Sequence, residues 1–133
     1  MDLDRLRSSC LSFPGAYEDY PFGPEVAVFR VRVPTAPPRP GKIFALVPVD
    51  RAPSSISLKC DPALAVQLRA AHPGITGAWH LDKKHWNGVR LDGDLPAGTV
   101  RDMIEDSYDL VVASLPAAAR AALGWAPGAP EGS

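Results

Sequence analysis

The sequence predicts an α+β domain, a largely antiparallel β-sheet with helices packed on one face. Three observations predict it. Three apolar or alternating runs, 27–33, 42–49 and 54–60, follow one another with short links, the pattern of an antiparallel meander. Stretches with helical periodicity flank that meander and need a sheet on which to bury their apolar stripes. The length of 133 residues, with 46% hydrophobic and 22% charged residues, fits one domain with one core. The domain is placed at 1–124, followed by a Pro- and Gly-rich tail, 125–133.

Each element has its own signal. In 2–12, Leu3, Leu6, Cys10 and Leu11 recur at helical spacing, and Pro14-Gly15 stops the helix. The segment Tyr17 to Pro24 is aromatic and turn-rich and reads as a loop plugging a core edge. In 27–33, Phe29, Val31 and Val33 point one way and Arg30 and Arg32 the other, giving a half-buried strand with a cationic outer face. PTAPPRPG, 34–41, suits only an extended connection. The run 42–49 is apolar on both faces, hence central. In 54–60, Ile56, Leu58 and Cys60 face inward, Ser57 and Lys59 outward. Asp61-Pro62 starts a helix, with Asp as N-cap and Pro in the first turn, and Leu64, Leu68 and Ala71 as its buried stripe. Residues 78–81 read as extended. In 84–91, Val89 and Leu91 define an inner face, with His85 and Asn87 in phase; Lys84, Trp86, Gly88 and Arg90 are outside. The longest helix, 96–114, carries Val100, Met103, Ile104, Tyr108, Val111 and Leu115 on one side. Its other side is an acidic stripe, Asp102, Glu105, Asp106 and Asp109. A short Ala-rich helix from Pro116 to Leu123 ends at Gly124.

The formal net charge of −1 hides a strong segregation. From Arg30 to Arg90 there are ten Lys and Arg against three acids, a net +7; the remainder has four basic and twelve acidic residues, a net −8. On the predicted fold this places Arg30, Arg32, Ser57, Lys59, Lys84 and Arg90 on one sheet face and the acidic stripe on the far side. No apolar run has the length of a membrane span. The N-terminus lacks the apolar core of a signal peptide, so a cytoplasmic location is expected; no membrane association and a monomer are expected as well. Cys10 and Cys60 are then reduced, buried small hydrophobes.

The functional centre of the sequence is 79–92, WHLDKKHWNGVRLD. It holds Trp79, Trp86, His80 and His85 beside Lys83, Lys84 and Arg90. Phosphates call for accessible Lys and Arg, and bases for aromatic faces or base-edge donors. Lys83, Lys84, Trp86, Asn87 and Arg90 supply all three, with His85 or Trp86 to stack and Asn87 as the base-edge candidate. A solvated basic face, with Trp86 in the core, accounts for the same residues without a ligand. His80 and His85 with Asp82 between them are too loosely spaced for a metal site, and no cofactor is expected. No nucleophile elbow, HExxH or P-loop is present, and no catalytic residue is assigned. A second reading makes the chain a protein- or small-ligand-binding accessory module. Its pocket would lie between the YPFG loop and the KKHWN hairpin, rimmed by Trp79, His80 and Tyr20.

Five segments in order, FPGAYEDYPFG, GKIFAL, ISLKCDP, HLDKKHWNGVRLDG and SYDLVV, resemble the MmcQ/YjbR family over about 3–115. The resemblance implies a frataxin-like (CyaY-like) two-layer sandwich of the double-wing DNA-binding type, without an established enzymatic activity. It carries over Lys59, Lys83, Lys84, His85, Trp86 and Asn87 as motif positions. The PTAPPRP link departs from the short turn that usually precedes the GK strand. Frataxin-type proteins also meet iron through an acidic helix. Here the acidic stripe lies on the late long helix rather than the first, so that role does not carry over by position.

Overall fold

The computed structural model describes residues 2–33, 39–50, 55–78 and 81–124. Most of the proline-rich link, the tail after Gly124, and Trp79 and His80 therefore lie outside the described residues. The elements run α1 (Leu3–Leu11), β1 (Ala16–Asp19), β2 (Val26–Val31), β3 (Lys42–Pro48), β4 (Ser55–Lys59), α2 (Pro62–Ala71), β5 (Ile75–Gly77), β6 (Trp86–Arg90), α3 (Ala97–Ala113) and α4 (Ala117–Ala122). The strands form one antiparallel sheet in the order β1-β2-β3-β4-β6-β5. The expected meander is β2-β3-β4, and the expected α+β class is the one observed.

Two strands extend the predicted set. β1 comes from AYED, inside the stretch read as a loop, and pairs with β2. β5 is only three residues, Ile75–Gly77, and pairs with β6. The stretch read as extended, 78–81, follows β5 and is not itself a strand among its described residues.

The helices lie on one face. α3 packs on β2, β3 and β4, α1 on β1 and α3, and α2 on β5 and β6. The core between the layers is built from Leu6, Cys10, Phe29, Phe44, Ile56, Ile104 and Val112, all fully buried. Phe13 stacks on Tyr108 at 4.7 Å between ring centroids, and Phe44 meets Tyr108 edge-on at 5.5 Å. The Tyr108 hydroxyl donates to the Pro14 carbonyl at 2.6 Å. Burial, then Asp109, pushes its phenol up to about 12. Burial likewise pushes the Cys10 thiol up to about 12, so this cysteine is inert packing, as expected.

The α3 stripe is buried at Val100, Ile104, Tyr108, Val111 and Leu115, with Met103 half-buried. It also includes Ser107, whose buried hydroxyl joins two strands. Ser107 Oγ donates to the Phe44 carbonyl at 2.6 Å and accepts from the Lys59 N–H at 2.8 Å. Among the described residues β3 and β4 share the pairs Ala45↔Leu58 and Leu46↔Ser57. The hydroxyl therefore takes over where the ladder stops. The α2 stripe differs from expectation. Asp61 caps the helix as predicted, accepting from Ala63 and Leu64 N–H, but only Ala65 is buried. Leu64 stays 39% exposed and Ala71 is exposed, because the helix sits over the β5–β6 edge rather than over the sheet centre.

Candidate nucleic-acid interface

The second face of the sheet carries no helix among the described residues. Strand alternation puts Tyr17 and Asp19 of β1, Val28 and Arg30 of β2, Leu46 of β3, Ser57 and Lys59 of β4, Trp86, Gly88 and Arg90 of β6 and Thr76 of β5 on it. The two ends of this face differ. Val28 is fully buried toward the β1–β2 end, whereas Ser57, Lys59 and Trp86 are half-exposed and Thr76 and Arg90 exposed at the other end.

At the accessible end, Lys59 and Trp86 are direct cross-strand partners. The turn entering β6 is tied by Asp82. Its carboxylate accepts from the Lys84 N–H at 3.0 Å and from His85 Nδ1–H at 2.6 Å, and its carbonyl accepts from the N–H of His85 and Trp86. The imidazole hydrogen bond, then the Lys84 N–H, holds the Asp82 carboxyl below the usual carboxylate range. A charged acceptor in turn keeps the proton on His85 Nδ1. The Lys83 stem lies on the Asn87 side of the sheet rather than the Lys59–Trp86 side, against Gly77, where a Cβ would stand 2.8 Å from Lys83 Cδ. Any side chain at 77 would displace it. The Lys83 carbonyl accepts from Arg69 Nη1 at 2.7 Å, which adds a third cation beside the turn. Lys59, Lys83 and Lys84 form no ion pair among the described residues.

The other predicted contacts are placed differently. Arg30 is spent within the fold: its Nε donates to Asp19 Oδ2 at 3.0 Å, its Nη1 to the Gly41 carbonyl at 2.8 Å, and its side chain is 13% exposed. Arg32 lies over the Tyr17 ring at 4.9 Å from the centroid. Arg90 faces outward as predicted but grips Asp92 through two hydrogen bonds of 3.1 Å. Asn87 is the clear correction. Its phase with Val89 turns it to the helical side, 3% exposed, so it is no base-edge contact. Its Oδ1 is buried without a hydrogen-bond partner among the described residues.

Of the pocket expected between the YPFG loop and the KKHWN hairpin, the rim residues Trp79 and His80 lie outside the described residues, and the described parts stand apart. β1, which leads into Tyr20, and β6, which follows the lysine turn, are four strand spacings apart, roughly 19 Å. Tyr20 instead joins Arg7 and Glu18. Among the described residues no three His, Cys, Asp or Glu side chains are grouped to hold a metal ion, the acidic α3 stripe included. Cys60 is half-buried rather than buried. Burial, then Asp61 and Asp106, raises its thiol, which argues against a nucleophile. No described helix is long and apolar enough to cross a membrane.

The fold recurs in known proteins. The YjbR family model matches residues 11–110. The Escherichia coli O157:H7 protein YbdF is 36% identical over 96 residues, 72% of each chain. YjbR of Escherichia coli K12 is 30% identical over 87% of this chain and 92% of its own. Among solved structures, Deinococcus radiodurans DR2400 superposes with a TM-score of 0.86 at 37% identity, covering 98% of this chain and 94% of that one. A Pseudomonas syringae protein gives 0.67 at 30% identity over 84% and 99%. The fold thus defines a class of small α+β proteins with a six-stranded antiparallel sheet and helices packed on it. The chain belongs to the YjbR family.

Proposed function

We propose that this protein binds nucleic acid, DNA in the first instance, without catalysis, through the β4–β6 end of the open sheet face. Lys59 on that face contacts phosphates together with the lysines of the turn at its rim, Lys84 and, from the Gly77–Asn87 side, Lys83; Trp86, flanked by His85, offers a stacking surface. The single observation that carries this reading is the pairing of Lys59 with Trp86 across adjacent strands on a face that carries no helix among the described residues, beside a turn whose two lysines form no ion pair among them. A cation next to a ring on an accessible sheet is the arrangement that lets a strand lay its backbone on charge and its bases on an aromatic. The footprint is narrower than the sequence suggests, because Arg30 and Asn87 do not belong to it and Arg90 is offset by Asp92. The resemblance to double-wing DNA-binding folds points the same way, as analogy.

Fluorescence anisotropy with a labelled duplex and a labelled single strand, at low and moderate salt, tests this. Three lysines on phosphate predict a slope of log K against log salt of about −2 to −3. Absence of binding to either probe at low salt would sink the reading.

A further inference from the structure

On the opposite, helical face, a cleft lies between α2 and α3 over β4 and β6. Its floor is Leu58, Asn87 and Val89, its walls are Leu64 and Leu68 from α2 and Met103 from α3, and Cys60 and Asp106 stand beside it. The enclosed part is only about 20 Å³, room for one water-sized group. Asn87 lines it with its amide oxygen buried and without a partner among the described residues. A buried carbonyl oxygen in that state lacks a donor, at a cost of about 1–3 kcal/mol.

We propose that this cleft binds a primary alkylammonium group, with the ammonium donating to Asn87 Oδ1 and the alkyl chain lying between Leu64, Leu68 and Met103. Three features select that chemistry. The enclosed space takes one heavy atom with its hydrogens, the size of an ammonium group. The walls leading out are apolar, and Leu64 is already 39% exposed at the mouth. The local field is negative. Asp61 and Asp106 both act on the adjacent Cys60 thiol, against Arg69 and a hydrogen bond from the Asp61 backbone. Lys59 borders the cleft as well, but strand alternation sends its side chain to the other face of the sheet. Asp106 pairs with no cation among the described residues, and burial together with Asp109 and Asp102 disfavours its charge. An ammonium would relieve both the orphaned oxygen and the unpaired carboxylate. This site is independent of the nucleic-acid reading, since it lies on the other side of the sheet.

The test is a titration of the full chain with n-butylammonium chloride, followed by amide and methyl NMR, with n-butanol and sodium butyrate at matched ionic strength as comparisons. Saturable shifts at the Asn87 side-chain amide and at the Leu64, Leu68 and Met103 methyls are expected at millimolar concentration. Butyrate should give none and butanol a weaker response. Asp106→Asn, a change at a solvent-reachable position, should weaken the ammonium at least about five-fold. Asn87→Leu should abolish it, and the methyl spectrum reports whether that variant folds. N-acetyl-lysine-N-methylamide separates the two sources of the group. Competition by it assigns the site to a lysine side chain, and its failure beside butylammonium binding assigns it to a free aliphatic amine. Shifts confined to the exposed acids of α3, or butanol binding as well as butylammonium, would overturn the proposal.

Discussion

The two ends of the sheet use the same residue types in opposite ways. At the β1–β2 end, cations are consumed by the fold: Arg7 pairs with Glu18 and Tyr20, Arg30 with Asp19 and Gly41, and Arg32 covers Tyr17. At the β4–β6 end, Lys59, Lys83 and Lys84 remain outside ion pairs among the described residues, Trp86 is half-exposed, and Asn87 keeps an orphaned oxygen. A satisfied end holds the sheet together, and an unsatisfied one retains the capacity to bind. An arginine alternating out of a strand is therefore not evidence of an interface until its partners are known.

Ser107 sits on the seam between these ends, and removing it gives the largest expected effect. Ser107→Ala leaves the Phe44 carbonyl and the Lys59 N–H buried without a partner. Urea denaturation should show a loss of about 1–3 kcal/mol. A neutral result would mean that β3 and β4 simply close on each other. Arg30→Ala comes next. It removes hydrogen bonds to a carboxylate and a carbonyl from a mostly buried position, and should cost about 1–2 kcal/mol of stability while leaving nucleic-acid affinity unchanged. A fall in affinity with unchanged stability would erase the distinction between the two ends. Lys83→Ala/Lys84→Ala should behave in reverse. Stability stays within about 0.5 kcal/mol, as for ordinary surface changes. Affinity at low salt drops about ten-fold or more, with a salt slope shallower by nearly two. Equal affinity for the double variant and the parent, measured by anisotropy, would remove the turn from the interface.

The legibility of these features in the sequence follows their physics. The meander, the Asp61-Pro62 start and the α3 stripe were readable because each rests on local chemistry or on a long apolar period. β1 was not, because AYED has no apolar alternation. It is an edge strand held by backbone pairing to β2, and its acids alternate toward Arg7 on one side and Arg30 on the other. Missing β1 hid the partner of Arg30, so Arg30 looked available. β5 is too short to carry a pattern. The phase of Asn87 was readable, since it falls with Val89, but that same phase contradicts a base-contacting role. Its burial decides between the two. The cleft left no sequence signal, because Leu64 and Leu68 have the spacing of a fully buried stripe, and only the placement of α2 at the sheet edge leaves them lining a gap.

The smallest effect is the most discriminating for the cleft. Asp106 has its carboxyl raised above the ordinary 3.8 by burial first, then by Asp109 and Asp102. A raised folded-state value means that the native state holds this proton more tightly than the unfolded chain. Above the folded-state value the charge is a net penalty. Below 3.8 both states are protonated and the penalty vanishes. Asp106→Asn should therefore be slightly more stable than the parent at neutral pH, by about 0.2–0.5 kcal/mol for each like-charged neighbour relieved. The advantage should shrink as pH falls through the carboxylate range. Saturating butylammonium should stabilise the parent at neutral pH and the Asn variant far less, because the ligand supplies the positive charge whose absence makes Asp106 costly. Paired thermal melts of both chains across pH, with and without the amine, read this directly. An Asn variant less stable than the parent at neutral pH would mean that the Asp106 carboxylate already has a favourable partner, and the cleft would then have no need of a cation.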